Sequence, residues 1–357
     1  MPHARTLAAI RRALLHWFDR HGRDLPWRDR QRSGYHILVS EAMLQQTQVA
    51  TVIPYYQRFI DTWPNVQALA AADEQQVLRL WQGLGYYRRA RHLHAAARRI
   101  EAEHGGMVPD EVAHLLALPG VGRYTAGAIA SIAYNRRAPI LDGNVARVLA
   151  RWFAIDQSID GTTVKARLWS LAEAVLPRDR PGDFNEAMMD LGATICTPRN
   201  PSCATCPVSA SCRARAQRRV DDLPVRAARR KAAAVTHHIV GVERRGRWLF
   251  VQRPAVGLWS NMWQMPTWEA DTRQSAEAVA TWLHKQTALQ AVIEPCHTFG
   301  HQTTHRAITF VLWRVRKVAG RLKSGVGVWR ALDDLDDLPM ANPQRRAVRT
   351  FTDMAAA

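Results

Sequence analysis

The stretch Leu118-Pro119-Gly120-Val121-Gly122-Arg123-Tyr124-Thr125-Ala126-Gly127-Ala128-Ile129-Ala130-Ser131-Ile132-Ala133-Tyr134 carries the reading of the fold. An apolar segment ends at Leu118-Pro119, glycines follow at 120 and 122, and a second apolar segment begins at once. Glycine takes a positive φ without steric cost, so the pattern reads as a tight turn between two helices. Such a turn aims the free N–H groups of the second helix outward, which makes a site for phosphate. Taken alone, Gly-x-Gly is equally the mark of a plain helical hairpin.

Outward from this turn, residues from about 5 to 215 show apolar positions recurring at three and four, the helical period. Breaks fall at Pro26, His104-Gly105-Gly106, Pro119-Gly120 and Asp179–Gly182. The stretch 213–234 turns to Arg, Ala and Asp-Asp and reads as an exposed linker. Beyond Thr236 the period changes. HHIVGVERRGRWLFVQRP reads as strand, turn at Arg245-Gly246, strand; CHTFGH and RAITFVLWRVRKV add further strands, with a helix near Ser275–Gln286 between them. The expectation is a helical region over 1–215, a linker over 216–235 and a mixed α+β domain over 236–350.

Four cysteines stand near the end of the helical region: Cys196, Cys203, Cys206 and Cys212, spaced C-x6-C-x2-C-x5-C. In a chain with no secretory leader expected at its start, that spacing reads as a metal site rather than as disulfides. Tetrahedral zinc and a [4Fe–4S] cluster both take four thiolates; a single C-x2-C pair leans toward iron–sulfur. Arg199, Arg213 and Arg215 are expected to favour the thiolate forms. Cys296 reads as a buried bystander. His297, His301 and His305 would share one face of a helix, but their Thr-, Phe- and Ile-rich surroundings read as strand, and no metal is expected there.

The 357 residues carry 49 Lys and Arg against 31 Asp and Glu, a net charge of +18. Such an excess points to a polyanion, nucleic acid before an anionic membrane surface. No run of about 18 apolar residues exists to span a bilayer, and the expectation is a cytoplasmic protein. Only five of the cations are lysines, and none precedes Lys165.

Two carboxylates carry the chemistry. Glu41 lies in the almost wholly apolar run Tyr35–Leu44, where burial would raise its pKa. Asp142, before Gly143-Asn144-Val145, sits where a helix starts and would be kept ionised there. A raised acid beside a depressed carboxylate is the pair that cleavage of a glycosidic bond needs. Between them in the chain, Gln45-Gln46-Thr47-Gln48 interrupts the apolar pattern, with Thr47 placed to cap the next helix and the glutamines offered on a loop.

Taken together, LPGVGRYTAG, LDGNVARV, SEAMLQQTQVATVIPYY, GLGYYRRARHLH, FNEAMMDLGATIC, LPWR and the cysteine spacing resemble the MutY-type adenine DNA glycosylases of the helix-hairpin-helix, endonuclease III superfamily. The resemblance is specific up to about Cys212 and looser beyond Thr236. It implies a mainly α helix-hairpin-helix glycosylase region (a six-helix module over about 30–135, and an iron–sulfur module from the N-terminal helix plus about 136–215), followed by a Nudix-like α+β domain that reads the oxidised base. The implied activity is removal of adenine mispaired with 8-oxoguanine or guanine from duplex DNA, the base being flipped from the stack. One [4Fe–4S] cluster on the four cysteines is implied, with no nucleotide cofactor, in a nucleoid-associated monomer.

By position, the resemblance assigns Glu41 as catalytic acid, Asp142 as the carboxylate facing the sugar, and Asn144 and Tyr124 as their partners. Arg23, Leu25, Trp27, Arg28, Leu44, Glu186 and Met189 fall in the adenine pocket. Gln45, Gln46 and Tyr86 fall at the duplex, Gly120 and Gly122 at its backbone, and Phe299 and His301 at the lesion. Bifunctional members place a Schiff-base lysine where this chain has Tyr124, so a monofunctional enzyme is expected. Two departures concern the C-terminal domain. The glutamate-rich metal motif of Nudix hydrolases is absent around Glu269 and Glu277, so no pyrophosphatase activity is expected. The family's Phe-Ser-His loop is here Phe299-Gly300-His301, which shifts lesion recognition toward His301, Gln302 or backbone groups. Thymine-mismatch or endonuclease III-like glycosylases, and a non-catalytic iron–sulfur DNA-binding protein, are the rival readings.

Overall fold

The computed structural model describes residues 4–28, 33–228 and 232–356. It divides into two compact units. The first takes residues up to Ala71 together with His92–Ala228; the second takes Ala72–Arg91 together with the chain beyond Arg229. The segment 72–91, which the sequence places in the helical region, thus folds with the C-terminal part. Residues 229–231 of the expected linker lie outside the described residues.

At the centre of the first unit runs the helix Gly34–Leu44, started by the Ser33 hydroxyl, which accepts from the His36 N–H. Its sequence is apolar on every side, and a helix of that kind is stable only when surrounded. Nine of its eleven residues are buried, and Glu41 is carried inward with them. The glycine turn then folds as expected. Gly120 adopts φ +77°, and a Cβ there would also meet the His92 side chain at 2.6 Å, so no larger residue fits. Gly122 is extended and begins the helix Arg123–Ala128, which widens into a π-helical turn over Ile129–Ala133. The helix Pro181–Asp190 widens in the same way over Leu191–Ile195. Both widened turns border the candidate site, where such irregularities are commonly found.

The expected linker is only partly a linker. Leu223 is buried, the Arg151 Nε donates to the carbonyls of Val220 (3.1 Å) and Leu223 (2.8 Å), and Ile159 N–H donates to Val225 O. A buried guanidinium needs several acceptors, and this stretch supplies them from its backbone.

In the second unit the strands are β1 (Ala233–Gly241), β2 (Glu243–Arg244), β3 (Arg247–Gln252), β4 (Trp263–Gln264), β5 (Thr267–Ala270), β6 (Gln290–Gln302), β7 (Arg306–Ala319) and β8 (Val328–Arg330). One sheet runs β5-β1-β7-β6, with β1 and β7 parallel; the other pairs β2-β3-β4, with β8 on β3. Alternate residues of β1 and β7 point to opposite faces. Ile239, Phe310 and Leu312 pack with Phe351 of the helix Asn342–Ala356, while Val240, Val311 and Trp313 pack with Val279 and Leu283 of the helix Ala276–Thr287. The latter helix is capped by Ser275, one residue from its expected start; the C-terminal helix and the short strands β4, β5 and β8 were not expected. His297 and His301 lie on β6 and His305 just beyond it, so the three do not share a helical face. Among the described residues no helix is long and apolar enough to cross a membrane.

Candidate active site

A cavity of about 410 Å³ in the first unit gathers most of the residues singled out in its sequence. Glu41, Tyr124, Asp142 and Asn144 line it, as do Arg23, Leu25, Trp27 and Arg28, and Leu44, Glu186 and Met189 complete the set. Gln45, Gln46, Gly120 and Gly122 do not. Gln46 is exposed on the loop after Leu44 with φ +62°. Gln48, not Thr47, caps the next helix, and without a side-chain bond; Thr47 instead lines the cavity.

Glu41 is 4% exposed, and burial pushes its pKa up to about 7. The Tyr124 hydroxyl hydrogen-bonds it and so opposes that shift, while the neighbouring Asp142 and Glu186 reinforce it. The same hydroxyl lies 3.2 Å from the Met189 sulfur. Asp142 is the N-cap of the helix Gly143–Trp152, accepting from the Val145 N–H at 2.7 Å, as its sequence position indicated. Its expected depressed pKa is corrected: burial raises it and outweighs the N–H bonds from Val145 and Asn144. The cap is a local feature; the burial around it comes from residues far along the chain and is not visible in the sequence.

Behind the cavity lies a buried charge network. Arg28 Nε donates to Glu186 Oε1 at 2.6 Å, and its Nη1 and Nη2 donate to the two Asp190 oxygens at 2.8 and 3.0 Å. Arg23 adds its backbone N–H and its Nε to the same carboxylate, at 3.0 and 2.8 Å. These two guanidinium groups hold the Asp190 carboxyl below the usual range despite its burial. Asp190 was not singled out in sequence, although an aspartate inside the apolar run AMMDLGA is a signal of the same kind as Glu41.

Arg147 was missed as well. Its guanidinium donates to Asn144 Oδ1 (2.8 Å), Gly192 O (2.6 Å) and Cys196 O (2.7 Å), tying the Asp142–Asn144 turn to the first cysteine. Arg151, one turn on and 1% exposed, donates to the Cys196 sulfur at 3.3 Å and to Thr197 O at 2.7 Å. Two arginines four apart in the apolar helix NVARVLARW were the available signal.

Cys196, Cys203, Cys206 and Cys212 line one small cavity of about 20 Å³ together with Arg151, Ile195 and Pro201. Among the described residues no group of three His, Cys, Asp or Glu side chains is gathered closely enough to hold a metal ion; the four cysteines line this space. The expectation that nearby arginines favour the thiolates is corrected, since burial pushes Cys206 up to about 11 and raises Cys212. Binding of a metal group at Cys206 and Cys212 displaces protons from half-buried thiols.

In the second unit, Phe299 is buried and stacks on Phe310 with ring centroids 5.0 Å apart, so its ring faces the core rather than a ligand. His301 is half-buried against Trp259 (6.0 Å). A Cβ on Gly300 would meet nothing within 4 Å. Glu269 is held by Arg253 Nη2 at 2.5 Å, with Arg306 at 3.8 Å and His237 at 3.9 Å. Tyr86, which in isolation reads as a core aromatic, is exposed.

Comparison with known proteins agrees with this arrangement. Residues 39–174 match the HhH-GPD superfamily of base excision DNA repair proteins, 196–212 the iron–sulfur binding domain of endonuclease III, and 238–350 the NUDIX domain. The iron–sulfur match runs from Cys196 to Cys212 and supports a [4Fe–4S] cluster in this protein. The adenine DNA glycosylase of Buchnera aphidicola subsp. Acyrthosiphon pisum is 30% identical over 344 residues, covering 95% of this chain and 96% of that protein. The human adenine DNA glycosylase is 39% identical over 356 residues, covering 83% of this chain and 65% of that protein. The rat protein of the same name is 52% identical over 216 residues, 42% of its length, so the chain spans less than two thirds of these mammalian relatives. Among solved structures, a thermostable thymine-DNA glycosylase is 28% identical with a TM-score of 0.52, covering 60% of this chain and 98% of that one. An endonuclease III–DNA complex shares the fold at 21% identity and a TM-score of 0.51, covering 61% and 99%. The helical unit with its cysteine loop, the mixed C-terminal unit and the near full-length match to the Buchnera protein lead to one conclusion: the chain belongs to the adenine DNA glycosylase family of the HhH-GPD superfamily.

Proposed function

We propose that the chain is a monofunctional adenine DNA glycosylase that binds duplex DNA as a nucleoid-associated monomer and removes adenine mispaired with 8-oxoguanine or guanine. The observation that carries this reading is one cavity in which two carboxylates, the buried Glu41 and the half-buried Asp142, meet an apolar wall of Leu25, Trp27 and Leu44. Its volume suits a small flipped ligand.

Adenine enters the cavity from the duplex. Arg28 holds Glu186 as an acceptor, which suits a base that offers an exocyclic amine. Glu41, with a pKa of about 7, is partly protonated at neutral pH and donates that proton to a ring nitrogen of adenine. The bond from the sugar C1′ to the base then breaks, with its electron pair leaving on the base. Asp142 stabilises the positive charge left on the sugar. Two neighbouring carboxylates do not readily ionise together, and the N–H bonds from Val145 and Asn144 favour Asp142 as the charged one. Water adds to C1′ and its proton returns to Glu41. When bound, the [4Fe–4S] cluster supplies a covalent tie among the four cysteines of the loop that Arg147 connects to Asn144. Tyr124 stands where a lyase would need an amine.

In the second unit, His301 and the backbone at Gly300 are assigned to the base opposite adenine. Glu269, already bound by Arg253, is unsuited to the metal chemistry of a Nudix hydrolase. Arginines spread over both units would neutralise phosphates, so binding should weaken with salt at a log–log slope of about −0.9 per contact.

The test is a single-turnover assay on a duplex with one central 8-oxoguanine·adenine pair, with aliquots quenched with and without hot alkali. Strand breakage only after alkali supports the reading. Breakage without alkali would contradict the monofunctional assignment. No breakage in either aliquot from cluster-loaded protein would reject it.

A further inference from the structure

Residues 72–91 enter the second unit through several tethers. Gln75 Nε2 donates to Asn261 O (3.2 Å), Asn261 Nδ2 to Glu74 Oε1 (2.7 Å), the Met340 N–H to Gln82 Oε1 (2.8 Å) and Arg91 Nη1 to Ala255 O (3.3 Å). Within this segment Gly83 (φ +108°), Gly85 (+74°) and Tyr86 (+48°) lie in the left-handed region. For tyrosine that conformation is strained and persists only where its surroundings hold it. The result is an aromatic side chain 48% exposed, with the Arg89 guanidinium 5.4 Å from its ring centroid. Its hydroxyl meets the Thr304 hydroxyl at 3.1 Å.

Thr304 stands at the tip of the β6–β7 hairpin. The neighbouring Thr303 closes that tip internally: its N–H donates to Arg306 O, and its hydroxyl accepts from the Arg306 N–H. Thr304 makes no such internal bond in that closure and turns to Tyr86. His301 and Gln302 lie on the same end of the hairpin.

We propose that Tyr86 and the 300–305 tip form one element, a wedge and a reader joined, and that Thr304 is the positioning residue that sets the tyrosine ring against the tip. Insertion of Tyr86 at a base step of the duplex and presentation of the adjacent base to His301 are then a single act of the second unit. This rests on the reading that the chain acts on adenine opposite 8-oxoguanine.

The experiment uses the full, cluster-loaded chain with Thr304→Val, Thr304→Ser, Tyr86→Phe and the double variant Tyr86→Phe/Thr304→Val. Two quantities are read: the ratio of single-turnover adenine release from 8-oxoguanine·A over G·A duplexes, and the fluorescence of 2-aminopurine placed beside 8-oxoguanine, which rises on unstacking. One hydrogen bond at a partly solvated site predicts a three- to tenfold fall in the ratio for Thr304→Val (about 0.6–1.4 kcal/mol) and a smaller fluorescence rise. Thr304→Ser should retain both, and the double variant should be no worse than the worse single variant. The proposal is overturned by an unchanged ratio and fluorescence in Thr304→Val, by equal losses in Thr304→Ser, or by additive losses in the double variant. Should the unsubstituted chain release no adenine, the reading of function falls, and the fluorescence of the four variants alone decides the wedge.

Discussion

Replacing Glu41 by glutamine should stabilise the protein while abolishing base release, and the gain should grow with pH. The carboxyl has a pKa of about 7 in the fold against 4.5 unfolded, because burial disfavours its charge. The folded chain therefore keeps its proton where the unfolded chain has lost it. Below pH 4.5 both states are protonated and Glu41 carries no penalty; as pH rises through 7 the fold progressively loses stability. With 1.36 kcal/mol for each tenfold difference in proton affinity, the full penalty is about 3 kcal/mol above pH 7 and about 1 kcal/mol at pH 5. Glutamine matches the shape, keeps an acceptor for the Tyr124 hydroxyl and cannot ionise. The advantage of Glu41→Gln should thus widen by about 2 kcal/mol between pH 5 and pH 8, or roughly 4–8 °C in the melting of a unit of this size. Urea titrations of both full chains at the two pH values measure it. A gap that stays constant with pH, or a variant less stable than the parent at pH 8, would refute the claim that Glu41 is a desolvated acid.

Other expectations follow from the same geometry. Asp190→Ala takes the shared carboxylate from half-buried Arg23 and from Arg28, which keeps only Glu186, and should cost about 3 kcal/mol in urea unfolding at pH 7. Because the Asp190 pKa is lowered in the fold, its contribution is present above pH 4 and lost in stronger acid, so the gap should close there. Gly192→Ala places a Cβ 2.6 Å from that of Asn144; adenine release should drop more than about tenfold while the broad cluster absorbance near 400 nm is kept. Gly300→Ser enters open space and adds a hydroxyl to the hairpin, so the preference for 8-oxoguanine over guanine should rise by a few fold without a change in unfolding midpoint.

What the sequence disclosed was local. Gly120 announced its turn because the need for a positive φ is a property of one residue, and the cysteines announced their loop because ligand spacing is a property of a short run. Asp142 as a cap was legible for the same reason; its raised pKa was not, because the burial that sets it comes from residues far along the chain. Arg147 and Arg151 escaped notice because most of their partners are backbone carbonyls of residues 192–223, groups without a sequence signature. The parallel pairing of β1 with β7 joins segments about seventy residues apart and had no local mark. The adenine-pocket residues were found together only through the joint pattern of motifs; Trp27 or Met189 alone reads as ordinary core.

The crossing of residues 72–91 into the second unit bears on how detachable that unit is. The change of composition near 216–235 suggests a bead that could be cut from the chain with one scission. A chain ended there would still carry the helix Glu74–Leu80 and the strained turn after it, now without Asn261, Thr304 and Met340 to hold them. The part left behind would be a wounded protein rather than a smaller one, with a tyrosine released from the conformation it was held in. Modularity here belongs to the gene's reading frame, whereas the folded molecule is stitched across that border.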